Sequence, residues 1–225
     1  MSNIKCRNCG ETIQSENINI QKALAKCQTC DCVFNINDQI LIPRPEIRMP
    51  DKFEVLRLRN SLNISYKWFS PVYIFLIFFA IFWNGFMAFW YYTAITEGIW
   101  MMGLFGLIHL GVGLFLIYFI IAGFFNSTHI NATKNRLKIK HKPIWWIGNK
   151  EVIISHIAQL FCKEEVTKGK NGKSYTYHLY MVDVADEHIK LLSNLETPEY
   201  ALYLEQELEH FLGIENRRVS GEYLE

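Results

Sequence analysis

A chain of 225 residues with a formal net charge of +1 carries no overall charge that would draw it to nucleic acid or an acidic surface. That balance averages unlike parts, because residues 68–133 hold no Lys or Arg and one acid, Glu97, and nearly all the charge lies in the flanks. Half of the residues are hydrophobic and 15% are aromatic, which suits a small membrane protein; setting the uncharged stretch aside leaves pieces of about 67 and 90 residues, each too small for a large enzyme core.

The first residues, Met1-Ser2-Asn3-Ile4-Lys5-Cys6, are polar, so no secretory signal is expected here. Five of the six cysteines follow within 32 residues: Cys6, Cys9, Cys27, Cys30 and Cys32. Cys6, Cys9, Cys27 and Cys30 form the pattern C-x2-C-x17-C-x2-C. Each C-x-x-C turn sets two sulfurs on one side of a zinc ion, and two turns complete a tetrahedron. Gly10 follows Cys9 where such a turn calls for a positive φ. Ala23-Leu24-Ala25 and Val33-Phe34-Asn35-Ile36 read as short strands, so residues 1–40 are expected to form a zinc ribbon with structural zinc. The competing reading is a disulfide framework, which a cytosolic location disfavours. Cys32 stands as a spare thiol or as an exchange partner for Cys30. With few basic residues and no aromatic–basic stripe, this module predicts no nucleic acid partner.

Residues 41–67 read as a proline-rich linker and then a juxtamembrane β-hairpin. Val55 to Arg59 and Leu62 to Tyr66 alternate on either side of Asn60-Ser61. A weak copy lies 75 positions on, where Leu62 corresponds to Leu137, Ile64 to Ile139 and Lys67 to Lys142. Duplication and shared alternation both account for it. On either account, strands from both sides of the apolar stretch are candidates for one sheet.

Residues 68–125 predict a transmembrane hairpin, with helices at about 71–92 and 100–124, each long enough for a hydrocarbon core of roughly 30 Å. Trp68, Tyr73, Trp90, Tyr92 and Trp100 cluster at the ends, as interfacial aromatics do. The connecting turn has no Lys or Arg, while Arg57, Arg59, Lys67, Lys134, Arg136, Lys138, Lys140 and Lys142 flank the pair. The positive-inside rule then predicts a multi-pass protein of the cytoplasmic (inner) membrane with both termini in the cytoplasm. Asn84 and His109 fall at similar depth and are expected to form an interhelical polar pair, either a packing lock or a proton relay. Ala80, Asn84 and Ala88 share one face of the first helix; Gly106, His109 and Gly113 share one on the second.

Residues 126–213 read as strands followed by a helix. Strands are expected over 127–133, 136–141, 151–163 with a turn near Ser155-His156, 175–184 and 187–192. Thr197-Pro198-Glu199 is a helix start, and Gly213 ends the helix. Strands closed by one amphipathic helix imply a curved antiparallel sheet capped by that helix; residues 214–225 are left as a tail. Trp145 and Trp146, beside Lys140 and Lys142, are candidates for contact with the membrane surface, with burial in the domain core as the alternative. Lys168-Gly169-Lys170-Asn171-Gly172-Lys173 is a basic loop, read either as phosphate-binding or as a solvated hairpin tip. Cys162 sits alone on a strand. The remaining histidines have no metal-ligand spacing, and no Ser/His/Asp set, Walker loop or dinucleotide fingerprint is present.

Phe125-Asn126-Ser127-Thr128-His129-Ile130, Leu137-Lys138-Ile139, Pro143-Ile144-Trp145-Trp146-Ile147-Gly148-Asn149 and residues 199–213 together resemble bacterial membrane-anchored pleckstrin-homology-like domains. With Ser65-Tyr66-Lys67-Trp68-Phe69 and Phe82-Trp83-Asn84-Gly85-Phe86, most of the chain resembles an uncharacterised bacterial membrane-protein family with an N-terminal zinc ribbon. The resemblance implies a membrane α+β fold: zinc ribbon, two-helix transmembrane hairpin, and a pleckstrin-homology-like cytoplasmic domain with a C-terminal capping helix. It supplies no activity. The expected function is a non-catalytic interaction or assembly platform on the cytoplasmic face, with the lipid bilayer and proteins as partners and the oligomeric state open. The alternatives are a redox enzyme using Cys32, Cys162 or His109, and a small transporter or channel subunit using Asn84 and His109.

Overall fold

The computed structural model of the chain describes residues 4–19, 24–36, 45–169, 172–217 and 219–223. The linker residues 41–44 and the tip of the basic loop, 170–171, lie outside these. The architecture is mixed α+β: three antiparallel sheets, two long apolar helices and one amphipathic helix.

The N-terminal module is a small sheet of β1 (Ile18–Asn19), β2 (Leu24–Lys26) and β3 (Val33–Asn35). Strands of two and three residues cannot hold themselves together, and the module has its own small core of Ile4, Ile13, Ala25, Phe34 and Ile36 around Cys6 and Cys27.

A five-stranded sheet begins with β4 (Phe53–Leu58) and β5 (Ser61–Lys67) and continues, after the apolar helices, with β6 (Ser127–Thr133), β7 (Arg136–Lys142) and β8 (Lys150–Ile153). Its order is β4-β5-β6-β7-β8. The central pairing joins residues far apart in sequence: Leu62 faces Ala132, Ile64 faces Ile130 and Lys67 faces Ser127. Alternation puts Leu62, Ile64, Ile130, Ala132, Leu137 and Ile139 on the buried face, each at most 1% exposed. The two hairpins whose sequences repeat at 75 residues therefore lie side by side in one sheet.

After β8 a 3-10 turn, Ile154–His156, carries the chain into a second sheet of β9 (Ile157–Gly169), β10 (Gly172–Asp183) and β11 (His188–Leu195), ordered β11-β10-β9. The single strand expected over 151–163 is thus split between two sheets. The expected turn near Ser155-His156 is the place where the split falls.

Helix α3 (Pro198–Leu212) closes the two sheets and ends at Gly213 in the left-handed conformation. Ala201, Leu204 and Leu208 are fully buried against both sheets, and Phe53 sits among the rings of Tyr66, Tyr200 and Tyr203. Strands before the apolar helices, strands after them and α3 share one core. Residues 53–67, which sequence alone assigns to a juxtamembrane element, are part of the C-terminal domain.

Two further segments join this head. Gln206 on α3 holds the linker as a strand neighbour would: its carbonyl accepts from Ile47 N at 3.0 Å and its amide donates to Pro45 O at 2.9 Å. The tail returns too, with Tyr223 N donating to Cys162 O at 2.8 Å and its ring edge-on to Tyr177.

Helices α1 (Val72–Thr96) and α2 (Trp100–Phe125) form an antiparallel hairpin, long and apolar enough to cross a membrane by length and composition. Phe75, Phe82 and Ile108 are each more than two-thirds exposed, so the hairpin leaves a broad apolar surface uncovered. Helix α1 runs four residues beyond the expected 92, because Ala94 and Ile95 continue its apolar pattern and the hydroxyls of Thr93 and Thr96 bond back to the carbonyls of Phe89 and Tyr92.

Candidate metal centre and membrane junction

Cys6, Cys9, Cys27 and Cys30 converge, their sulfurs all within 4.8 Å of one another. Cys6 Sγ lies 3.6 Å from Cys30 Sγ, and Cys9 Sγ 3.5 Å from Cys27 Sγ. Sulfurs at the corners of a tetrahedron about a zinc ion, with bonds of roughly 2.3 Å, stand about 3.8 Å apart. The cluster has close to that size. No two of the six cysteines are joined by a disulfide, so the disulfide reading has no pairing here.

Each knuckle is built by backbone. Cys6 N donates to Glu11 O at 2.8 Å and Gly10 N to Cys6 O at 2.9 Å, with Gly10 at φ +75° as the turn demands. In the second knuckle Cys27 N donates to Cys32 O at 2.9 Å. These turns aim amides at the sulfurs. The Cys9 amide beside Cys6, the Cys30 amide beside Cys27 and the Cys32 amide beside Cys30 hold those three thiols below their ordinary value. The Glu11 amide draws Cys9 the same way, but burial and the sulfurs of Cys27, Cys6 and Cys30 push it up to about 12. Four thiolates this close cannot ionise together without a cation among them, and a dication supplies the missing charge. The donor set and its size therefore fit a metal ion. Cys32 lies outside the cluster, and burial, then the charge of Cys6 and Cys30, pushes its thiol up. Cys162 is fully buried in the head core and belongs to a different hydrophobic cluster from the cysteine module.

In the hairpin, the expected Asn84–His109 pair does not form among the described residues. Asn84 Nδ2 donates to Ala80 O at 2.8 Å and reaches Gly113 O at 3.4 Å. His109 instead lies half-buried between the rings of Trp83 and Phe105, and its carbonyl accepts from Trp83 Nε1 at 3.1 Å. The helices meet along Ala80, Met87 and Ala94 against Gly106, Gly113 and Ile120, a stripe that recurs every seventh residue on both. The expected face through Ala88 is displaced, and Ala88 is exposed. With small residues in the seam, α1 reaches across to carbonyls of α2: Trp90 Nε1 to Met102 O at 2.9 Å and Tyr91 hydroxyl to Gly103 O at 3.0 Å, besides Trp83 and Asn84. The lock is thus side chain to backbone along the whole seam, a pattern that residue pairing by depth does not find.

The four residues expected at the membrane surface divide. Trp145 is 71% exposed, and Lys140 and Lys142 project from the outer face of β7. Trp146 turns inward, stacked on Tyr118 with ring centroids 5.9 Å apart and edge-on to Trp68. The loop carrying both is clamped by a residue that sequence reading did not single out as a site. Asn126, 1% exposed, donates to Ile144 O at 2.9 Å and accepts from Ile144 N at 2.7 Å. Its backbone carbonyl accepts from Trp68 N at 3.1 Å. One buried asparagine therefore joins the exit of α2 to the tryptophan loop through its side chain and to the entry of α1 through its backbone carbonyl. A buried Asn at a helix–strand boundary is the only signal that marks it beforehand.

Neither the protein-family models nor the curated proteins compared with this chain match it.

Proposed function

We propose that this chain is a two-span protein of the cytoplasmic membrane, with both termini in the cytoplasm, a structural zinc ion on Cys6, Cys9, Cys27 and Cys30, and a composite head that acts as a non-catalytic platform for protein assembly at the membrane face. The observation that carries the reading is the pairing of β5 with β6. The two chain ends of the apolar hairpin enter and leave through adjacent strands of one sheet, so any membrane holding the hairpin has the head on one side of it. The absence of Lys and Arg from the connecting turn, against the basic flanks, supports the cytoplasmic side. The strand order and closing helix support a pleckstrin-homology-like head. A four-thiolate site leaves a bound zinc no open position for substrate, which favours a structural role. The redox alternative finds little support in Cys162, which is buried, or in Cys32, which lies outside the cluster.

The test is metal analysis with topology mapping on the full chain. We expect about one zinc per chain, lost in Cys27→Ser. Cysteine-specific reagents that cannot cross a membrane should reach a cysteine introduced at Glu97 in intact cells and miss one introduced at Glu215. Full-length protein without zinc, or labelling at Glu215 from outside, would overturn the corresponding part.

A further inference from the structure

Where the head meets the helices, the structure leaves a cavity of about 350 Å³. Its walls differ. On the helix side stand rings of Tyr73, Phe119, Trp146 and Trp68; on the head side stand Lys67, Ser193, Asn194, Glu196 and Tyr200. The volume is at the low end for ligand pockets, roughly 300 to 1,000 Å³. It accommodates a small polar headgroup and has no room for acyl chains. Val72 and Ile147, both exposed, are among its lining residues, and Phe119 lies near the end of α2, so on the membrane reading the cavity falls at the level where headgroups meet hydrocarbon.

The polar side offers hydrogen-bond donors, and its one carboxylate is already paired. The carboxylate of Glu196 is taken by Lys52, whose Nζ lies 2.8 and 2.7 Å from its two oxygens. Lys67, by contrast, has no carboxylate partner among the described residues, and the Trp146 indole N–H and Ser193 hydroxyl have no hydrogen-bond partner among them. Trp68 Nε1 donates to Thr128 Oγ1 at 2.7 Å, and the same oxygen lies 3.0 Å from His141 Nδ1, which ties the His141 ring to this wall. The lining carries two opposite charges, Lys67 and Glu196, and because Lys52 from outside the lining offsets Glu196, one positive charge, Lys67, is left over. A site with unspent donors, one unpaired cation and an aromatic wall is matched by an amphiphile whose polar end is an anion.

We propose that this cavity holds the phosphate-bearing headgroup of a membrane glycerophospholipid, with Lys67 on the phosphate and the glycerol against the Trp68 and Trp146 rings. The acyl chains leave past Val72 along α1. The lone positive charge makes an anionic lipid, such as phosphatidylglycerol, a better occupant than zwitterionic phosphatidylcholine. This assignment rests on the membrane reading above.

The experiment uses the full chain, extracted in mild detergent without added lipid. Phosphorus assay and mass spectrometry of the extract should find about one phospholipid per chain, enriched in anionic species over the source membrane. After delipidation, tryptophan fluorescence should respond to phosphatidylglycerol in detergent with an affinity about tenfold above that for phosphatidylcholine. Lys67→Gln should abolish that preference, and Ser193→Trp, which fills the cavity from an exposed position, should abolish retention with the thermal midpoint of the head unchanged. Inorganic phosphate serves as the second titrant. A response to phosphate that equals the lipid response would overturn the lipid assignment in favour of a soluble phosphate ester. Equal lipid retention by wild type and Ser193→Trp would overturn the site. Alkaline carbonate extraction separates the two readings: release of the chain from membranes defeats the membrane reading, whereas an integral chain carrying no phospholipid defeats only this proposal.

Discussion

Asn126 shows how much one buried side chain can decide. Both polar ends of its amide are used by the backbone of Ile144, so truncation leaves an N–H and a carbonyl without partners at the base of the helix hairpin. Asn126→Ala should destabilise the head by about 1–3 kcal/mol. Urea titration of the detergent-solubilised protein measures this, and faster proteolysis within 143–149 should accompany it. An unchanged urea midpoint would show that water replaces the amide at no cost. His141 and His178 act at the same scale through protonation. Burial lowers both from the ordinary 6.5, with Lys190 adding to the effect on His178. The unfolded chain therefore takes up these protons first as pH falls. Head stability from these groups is fully present above 6.5 and declines as pH drops through the window beneath it. His141→Gln removes one titrating group, so its thermal midpoint should fall less steeply than wild type between about pH 6.5 and 5. Parallel slopes would show that His141 is not part of the acid response.

At the scale of elements, the helix hairpin is organised by what fits between α1 and α2. Gly123 lies under the ring of Tyr73, and a β-carbon there would stand 2.1 Å from it. The ring has little freedom to retreat, being packed against Phe119 and Phe124. Gly85, on the opposite side of α1, has nothing within 4 Å. Gly123→Ala should therefore cost about 1–3 kcal/mol through overpacking, while Gly85→Ala should be neutral or stabilise by up to about 1 kcal/mol through helix propensity. Thermal unfolding in detergent compares them directly, and equal effects would mean that the seam is not packed as described. The side chain to carbonyl bonds along the seam are individually small, about 0.6 kcal/mol each in a membrane. Their common direction, from α1 to α2, makes them additive in fixing register.

For the whole molecule, the decisive contact is Lys67 opposite Ser127, the strand ends from which both helices depart. The head core does not need the helices for continuity, because a tight turn can join these two residues as it joins any antiparallel pair. A chain in which residues 68–126 are replaced by a short Gly/Asn turn should give a soluble head with one cooperative thermal transition. Aggregation without such a transition would show that the helix bases, through Trp68 and Asn126, are required for folding. The N-terminal cysteine module, with its separate core, is expected to lose its proposed zinc to chelators without lowering the transition of the head.

Local chemistry was legible in the residues themselves. A C-x2-C pair constrains its own backbone within a few residues, so the cysteine cluster could be read from spacing. Apolar runs of 25 and 26 residues declare helices by length and composition, and Thr197-Pro198 with Gly213 bounds α3 through purely local preferences. Strand alternation marked Leu62, Ile64, Leu137 and Ile139 as one-sided, but alternation says which face is buried and never against what. Only the tertiary structure decided that β5 pairs with β6 across some sixty intervening residues, making one head of two flanks. It also decided that the Asn84 amide bonds to helix carbonyls and the His109 ring packs against Trp83 and Phe105, instead of the two pairing with each other. Depth along an axis is additive in sequence, whereas rotation about the axis depends on how the seam of small residues settles. The cavity beneath Trp68 and Trp146 belongs to the same class: its walls come from five separate segments, and no local pattern announces a space between them.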